Sequence, residues 1–322
     1  MTCLNLKLFA AIIAPALLAV PAAQAAQSNY PEKPIRLIIG SAPGSGPDIF
    51  SRALGDQLHK TWSQRIVVDS RPGAAGAISA ELALRAAPDG YTWMMLTSQL
   101  LVASEVLSNI KFNLARDFKS VSLIGTVPFV QMVHPSVPAK SVSELIALAK
   151  KQQLRYGSAG TGATEHLSGV LFTHLSGTKM LHVPYKGIAQ AIADTLAQEV
   201  QLTYAVMPAA RPQLESKRLR PLGVTTSYRS KLFPDIPSIS ETLPGYETMG
   251  WYSIVAPTGT PEPILNQVSA EIQKATKDPS FNATLTKLGS VVVGSDRAGL
   301  DAHRSSQSRI IAELVRVSGV KQ

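Results

Sequence analysis

Residues 36–52 read RLIIGSAPGSGPDIFSR, and this stretch predicts a strand, a tight loop and a helix. Residues 37–39 form a continuous apolar run, which is typical of a parallel strand covered on both faces. Pro47 suits the first turn of a helix, where its missing N–H is not needed. The spacing Ser45-x-x-Asp48 matches a capping box. The N–H groups left free at such a helix start, with the positive end of the helix dipole behind them, form a site for an anion.

The same pattern returns at residues 155–167, which read RYGSAGTGATEHL. Here residues 157–159 and Glu165 have the same spacing as residues 40–42 and Asp48. The chain is therefore expected to contain two helix starts that accept an anion. If the two face each other across a cleft, they hold a carboxylated ligand from both sides.

Residues 1–26 are predicted to be a signal peptide. Lys7 supplies a small positive region, and residues 8–20 are an apolar stretch of signal-peptide length, too short for a membrane span. Small residues follow and place cleavage near Ala25 or Ala26. The alternative is an uncleaved anchor. No later apolar stretch reaches about 18 residues, so we expect a soluble exported protein.

Cysteine content and charge narrow the classes of function. The single cysteine, Cys3, precedes the apolar stretch, so no lipid anchor is predicted and the exported chain lacks cysteine. Disulfides, zinc-thiolate sites and thiol nucleophiles are thereby excluded, and a disulfide-free exported chain of this size suits the bacterial periplasm. The formal net charge of +9 is compatible with a basic surface or with attraction of small anions. Export and a low aromatic content of 6% argue against nucleic acid.

Strand and helix signals alternate along the rest of the chain, which predicts an α/β fold with doubly wound, mainly parallel sheets flanked by helices. Residues 119–127 and 129–134 are expected to be separate strands. The last strand and helix are expected to return to the first part of the fold. The predicted organisation is a discontinuous lobe 1, residues 27–127 and 250–322, and an inserted lobe 2, residues 128–249, with the ligand between them.

No catalytic or cofactor motif appears in the sequence. Residues 44–46 do not continue into G-x-G-x-x-G, and there is no P-loop, G-x-S-x-G or H-E-x-x-H pattern. His166 and His174 are eight residues apart, too far to share a metal on one helix. We therefore predict a binding protein without catalysis, cofactor or metal.

At the two loops and around them the chain resembles the Bug family, the substrate-binding proteins of tripartite tricarboxylate transporters. The similarity covers essentially the whole exported chain. Each motif is short, but all of them occur in the shared order, at residues 30–36, 43–52, 71–74, 88–91, 156–167, 182–187, 229–237, 244–246 and 256–261.

The resemblance implies a two-lobed periplasmic binding protein of the Venus-flytrap, type II-like kind. Such a protein closes on a small organic anion, usually a carboxylate, and delivers it to a membrane permease. For this chain we expect a di- or tricarboxylate or an aromatic acid as the ligand, and a monomer. In the family both loops hold a carboxylate through backbone and hydroxyl groups. Carried over residue by residue, the ligand-binding candidates are Ser41, Pro43, Gly44, Ser45, Gly46, Ser158, Gly160, Thr161, Gly162, Thr164, His166, Tyr185 and Ala205, with Lys186 nearby.

Two departures from the family pattern bear on the ligand. The family loop usually reads Pro-Pro-Gly-Gly, whereas residues 42–45 are APGS. The later strand often reads Val-Asp-Leu-Met-Phe-Asp, whereas residues 200–205 are VQLTYA. Ala205 therefore lacks an acid that would pair with a ligand amine or hydroxyl. This favours a plain aliphatic or aromatic carboxylate over an amino acid.

Alternatives stay open at this point. Ser45 and Asp48 have a purely structural interpretation as helix caps, and His166 as a core or capping histidine. Lys186 is interpreted as a solvated charge. For the whole protein, the alternatives are a periplasmic ligand sensor or an enzyme on the same scaffold, which would need a nucleophile–base pair or a metal site.

Overall fold

The computed structural model describes residues 29–107, 110–230, 233–287 and 289–318. The described residues from Pro31 onward form one compact unit. The predicted signal peptide, residues 1–26, and its cleavage site lie outside the described residues. In the part of the chain that is described, no helix has the length and apolar character needed to cross a membrane.

Strands and helices alternate over the described chain, as expected for an α/β fold. The strands are β1 Ile35–Ile39, β2 Ile66–Ser70, β3 Thr92–Thr97, β4 Phe118–Val133, β5 Leu154–Ser158, β6 Met180–Pro184, β7 Leu202–Val206, β8 Arg220–Val224, β9 Met249–Pro257 and β10 Val291–Val292.

The helices cover the sheet between these strands. They are α1 Gly46–Trp62, α2 Ala77–Leu84, α3 Ser98–Val106, α4 Leu114–Asp117, α5 Val142–Lys151, α6 Thr164–Ser176, α7 Ile188–Leu196, α8 Met207–Glu215, α9 Glu262–Ala275, α10 Pro279–Lys287 and α11 Arg297–Ser318. Short 3₁₀ turns lie at Ala74–Gly76 and Ile239–Glu241.

The sheet contains two parallel groups joined by antiparallel strands. Strand β1 pairs in parallel with β2 and β3, and β5 pairs in parallel with β6 and β7. Strand β9 lies antiparallel between β3 and β4, and β4 is antiparallel to β7, β8 and β10. The sheet is therefore mixed. The late strands β9 and β10 pair with the first group's edge and with the first part of β4.

Strand β4 links the two groups because it changes partners in its middle. Its first part pairs with β9 as far as Pro128 opposite Met249, and its second part pairs with β7 from Phe129 opposite Val206. The expectation of two separate strands in this region is wrong. Proline has no N–H to donate to a neighbouring strand, so Pro128 marks the change of partner without ending the strand.

Helices α3 and α8 are not expected from the sequence pattern. Helix α3 begins directly at the end of β3, where the Thr97 side chain accepts a hydrogen bond from the Leu100 N–H. It buries Leu100, Leu101 and Val102 in succession, so it lacks the 3.6-residue alternation by which a surface helix is recognised. Tertiary packing covers it on most sides.

Arg304 fixes helix α11 to strand β4. Its side chain is 7% exposed, and Nη1 donates to the carbonyl oxygen of Phe118 at 3.2 Å and to the hydroxyl of Ser120 at 2.8 Å. Nη2 donates to the carbonyl oxygen of Leu114. Asp301 is the nearby acid, with 4.0 Å between its Oδ1 and Nη1. Burial lowers the pKa of the Arg304 guanidinium.

Replacing Arg304 by Met is expected to reduce the free energy of unfolding by about 2–3 kcal/mol, because buried carbonyl oxygens lose their donors. Urea unfolding measures this change. Arg309→Met on the exposed face of the same helix is the matched control and should change stability by less than about 0.5 kcal/mol. Equal effects of the two substitutions would contradict the assigned role of Arg304.

Candidate functional site

A cavity of about 220 Å³ lies at the carboxyl ends of the parallel strands. The loop after β1 contributes Ser41 and Ser45, and the loop after β5 contributes Ala159 and Ala163. The end of β7 contributes Val206. Ligands of open α/β sheets bind at this edge, because successive loops meet there. The position of the cavity therefore makes it the candidate ligand site.

The two loops that border the cavity have nearly the same backbone. Gly44 and Gly162 have φ angles of 80° and 79°, a left-handed conformation that favours glycine. Each glycine N–H donates to the side chain four residues on: Gly44 to Asp48 Oδ2 at 3.0 Å, and Gly162 to His166 Nδ1 at 3.2 Å. We name these segments, residues 40–48 and 158–166, the first and second anion loops.

The structure corrects the alignment of the two anion loops by one residue. The repeated spacing in the sequence equates Asp48 with Glu165, but the hydrogen bonds equate Asp48 with His166. The turns that precede the helices agree with this correction, since Ser45 N–H donates to Ala42 O at 3.2 Å and Ala163 N–H to Gly160 O at 3.1 Å. Glu165 occupies the position of Pro47, and both line the cavity.

The capping box predicted at Ser45 is wrong. Ser45 is the N-cap of α1, but its hydroxyl donates to the carbonyl oxygen of Ala42 at 2.6 Å and does not cap the helix. Asp48 is 3% exposed, and its carboxylate accepts hydrogen bonds from the Gly44 N–H and from Arg52 Nε. The hydrogen bond from Arg52 is the main reason that the pKa of Asp48 is lowered. Asp48 thus closes the first anion loop from inside.

Helices α1, α3 and α6 all begin at the cavity. Pro47, Ser98 and Thr164 from their first turns line it, and the hydroxyls of Ser98 and Thr164 are 3.3 Å apart. Helix N-termini carry partial positive charge and unpaired N–H groups, so they attract an anion. Among the described lining residues none is Lys, Arg or His. The lining side chains therefore supply no positive charge, and the helix starts are the local source of positive partial charge.

Histidines hold the second anion loop from behind. The buried His166 ring stacks on His182 with 3.9 Å between ring centroids, and the Ser158 hydroxyl lies 2.7 Å from His182 Nε2. The same hydroxyl accepts from the Gly160 N–H at 3.1 Å. Burial lowers the pKa of His166 to about 4 and that of His182 to about 3, so both are neutral at pH 7. A neutral His166 keeps the Nδ1 lone pair that accepts from Gly162.

Tyr252 lines the cavity beside the start of α1. Its hydroxyl lies 2.6 Å from the position that a β-carbon on Gly46 would take, and its ring packs edge-on against Phe50 at 4.5 Å. A side chain at Gly46 would therefore collide with the tyrosine. Burial and the nearby Glu165 charge raise the pKa of Tyr252, so it is a neutral donor. Phe129, on the wall formed by β4, adds apolar surface.

Glu165 is the acid that faces the cavity. It is the second residue of α6 and lines the cavity beside Thr164. No ion pair within the described part of the chain includes it. Glu165 is half-buried at the cavity wall, and the partial loss of water around its carboxyl raises its pKa to about 7, against a smaller effect of its own backbone N–H, which favours the charged form.

The predicted ligand residues separate into groups in the structure. Ser41, Ser45 and Thr164 line the cavity. Gly46 packs under Tyr252. Pro43, Gly44 and Thr161 are exposed at the tips of the anion loops, where Gly160 and Gly162 shape the backbone, while Ser158 and His166 support the second loop from the buried side.

Other candidates lie away from the cavity wall. The Tyr185 ring lies against Gly157, and its pKa rises to about 12 through burial and a hydrogen bond with Asp194. Lys186 is exposed. Ala205 is 0% exposed and packs in the core. The absence of an acid at Ala205 therefore says little about the ligand, because the acid that lines the cavity is Glu165.

Several lining residues were not anticipated from the sequence. They come from the starts of α3 and α6, from the crossing of β4 and β9 and from the end of β7, namely Thr97, Ser98, Gln99, Val127, Phe129, Glu165, Val206 and Gly250. The one sequence signal for them is at Thr97, where a strand is followed directly by a helix, as in the two anion loops. For Tyr252 the sequence left a core position and a cleft wall as alternatives, and the structure places it in the cavity wall. No group of three or more His, Cys, Asp or Glu suited to a metal occurs within the described residues.

Comparison with protein families supplies a match over residues 50–315 to the tripartite tricarboxylate transporter family receptor. Among curated proteins, the chain is 31% identical to a UPF0065 protein of Bordetella bronchiseptica over 313 residues, which are 96% of this chain and 93% of that protein.

Solved structures of similar fold support this family match. R. palustris Rpa4515 with adipate has a TM-score of 0.80 and 30% identity, with coverage of 91% of this chain and 99% of the other. The periplasmic binding protein BugD has a TM-score of 0.75 and 28% identity with the same coverage. The expected α/β periplasmic-binding-protein fold is confirmed.

Replacing Asp48 by Ala is expected to reduce the free energy of unfolding by about 1–2 kcal/mol, because the Gly44 N–H loses its acceptor. Asp48→Asn keeps an oxygen at this position and should cost less. A lowered carboxyl pKa stabilises the fold above the ordinary Asp pKa of 3.8, so the difference between wild type and Asp48→Ala should shrink as the pH falls below that value. Urea unfolding at pH 7 and at pH 3 tests both statements; equal losses for Ala and Asn at pH 7 would contradict them.

Glu165 should make the ligand-free protein less stable as the pH rises from about 4.5 to 7. Its pKa is raised on folding, so the native state binds the proton that the unfolded state releases in this range. Glu165→Gln removes this titration. The free energy of unfolding of the variant minus that of wild type should therefore increase by about 2–3 kcal/mol from pH 5 to pH 8. Unfolding free energies of both proteins at the two pH values measure the gain. A difference independent of pH would show that Glu165 titrates normally.

Proposed function

Because this chain belongs to the tripartite tricarboxylate transporter receptor family, we propose that it captures a small organic carboxylate in the cavity between its two anion loops and delivers it to the membrane permease of such a transporter. The resemblance to the Bug family seen in the sequence is confirmed by the family match. The chain is a periplasmic solute-binding protein of that family. Its ligand, its permease and its monomeric state are the proposed parts.

The convergence of α1, α3 and α6 on one cavity is the observation that carries the proposal. A carboxylate needs several donors when it leaves water, and N–H groups at helix starts supply them without a mobile cationic side chain. The hydroxyls of Ser41, Ser98 and Thr164 add donors at the same wall. A structure of the similar protein Rpa4515 holds adipate, which supports a carboxylate as the ligand.

The two parallel strand groups are the proposed lobes, with lobe 1 formed by residues 27–127 and 250–322 and lobe 2 by residues 128–249. The first anion loop then belongs to lobe 1 and the second to lobe 2, and the Ser98–Thr164 contact spans them. Closure would remove water from the carboxylate and strengthen each hydrogen bond in the less polar cleft. Export through the signal peptide, residues 1–26, would bring the protein to the periplasm.

A thermal-shift screen tests the ligand class. The panel holds adipate, malate, citrate, benzoate, nicotinate and aspartate, added to protein that has been unfolded and refolded to remove carried-over compounds. A binder at about 100 times its Kd should raise Tm by about 5 °C, because it stabilises the native state alone. No shift with any acid would count against the proposal and favour a sensor or an enzyme.

A variant that fills the cavity locates the binding. Ala159→Phe places a ring in the cavity and should abolish the shift, whereas Ala193→Phe on the exposed side of α7 should leave it unchanged. A shift that survives Ala159→Phe would place the ligand elsewhere. Delivery to a permease is tested separately by uptake of the same radiolabelled acid into cells, which should be lost when the gene for this protein is deleted.

A further inference from the structure

Glu165 stands in the proposed carboxylate cavity with no cation to balance it. The lining residues of the described chain include no Lys, Arg or His, and no ion pair of the described residues involves Glu165. An ionised carboxylate at this position would repel the ligand that the helix N-termini attract. Either the ligand is not an anion at this point of the cavity, or Glu165 is not ionised when the ligand is bound.

We propose that Glu165 is a specificity-determining residue of the cavity and acts in its neutral acid form, donating a hydrogen bond to a carboxylate oxygen of the bound ligand, so that capture takes up one proton from solvent. This inference rests on the proposed function. On binding, the site takes up the ligand anion and one proton from solvent, and that proton is held by a carboxyl oxygen of Glu165. A dicarboxylate is the ligand class that this arrangement suits, with one carboxylate at the first anion loop and the other at Glu165.

The side chains that line the cavity with Glu165 supply no cation to stabilise its ionised form, and burial outweighs the opposite effect of the α6 N-terminus. Tyr252 on β9 is the titratable group that faces it, and burial keeps that phenol protonated. The residues that α3, β4 and β7 present to the cavity, Gln99, Phe129 and Val206, carry no charge. Glu247 lines a separate small cavity behind Thr164, together with residues of α11. Burial has already raised the pKa of Glu165 to about 7, and a bound anion raises it further.

The orientation of Glu165 comes from its place on α6. The next residue, His166, turns to the buried side, where it holds the second anion loop and stacks on His182. Successive residues of a helix are separated by about 100°. The same turn of helix that directs His166 into the core therefore directs Glu165 to the ligand.

Calorimetry with adipate tests the proposal in the whole exported chain. Titrations at pH 6, 7, 8 and 9, in phosphate and in Tris, give the affinity and the number of protons exchanged. Wild type should take up close to one proton at pH 8, and its affinity should fall by up to tenfold per pH unit above about pH 7. Glu165→Gln imitates the neutral acid and should bind adipate with no proton uptake and a flat pH profile. Glu105→Gln, at an exposed position on α3, is the matched control and should behave as wild type.

Other outcomes overturn the proposal. A flat wild-type profile without proton uptake, or loss of adipate binding by more than about tenfold in Glu165→Gln at pH 6, would show that Glu165 acts as an ion or only as structure. Aspartate binding that strengthens with pH and is lost in Glu165→Gln would assign Glu165 to a ligand ammonium group.

A direct titration separates this proposal from the proposed function. The carboxyl ¹³C signal of Glu165, assigned by its absence in Glu165→Gln, is followed by NMR in ligand-free protein. A midpoint near pH 7 supports the neutral acid, and a midpoint near 4.5 overturns it. Failure of adipate and the other acids to bind counts against the proposed function alone, because this measurement needs no ligand.

Discussion

The hydrogen bond from a left-handed glycine to the side chain four residues on is the contact on which the candidate site depends. It occurs at Gly44 with Asp48 and at Gly162 with His166. In both loops it turns the chain from the end of a parallel strand into a helix whose start faces the cavity. The site thus uses one backbone device twice, with a different acceptor in each half.

The different acceptors give the two halves different electrostatics. In the first half Asp48 is a buried ion paired with Arg52. In the second half His166 is neutral, so no charge supports the loop from behind. Glu165 then places an acid at the cavity wall, where the first half has Pro47. The proposed binding of an anion thus combines the helix starts that converge on the cavity with this one acidic side chain in its wall.

The rest of the fold holds the two anion loops and the cavity walls in position. Strand β4 runs through both strand groups and changes partners at Pro128, so the walls of the cavity share one continuous backbone. Helix α11 is fixed to the first part of β4 by the buried Arg304 guanidinium. Tyr252, packed on Phe50 and directly over Gly46, links β9 to the start of α1.

Local sequence determined the strand, loop and helix order of both anion loops, because glycine, proline and apolar runs act within a few residues. Shared motif order determined the family. Tertiary structure alone decided which side chain faces the cavity. The sequence repeat equates Asp48 with Glu165, but in the structure His166 makes the hydrogen bond that corresponds to that of Asp48. Because successive residues of a helix are separated by about 100°, burial of His166 leaves Glu165 at the cavity. Packing likewise buried Ala205, covered α3 and brought Tyr252 to the cavity, through contacts between residues far apart in the chain.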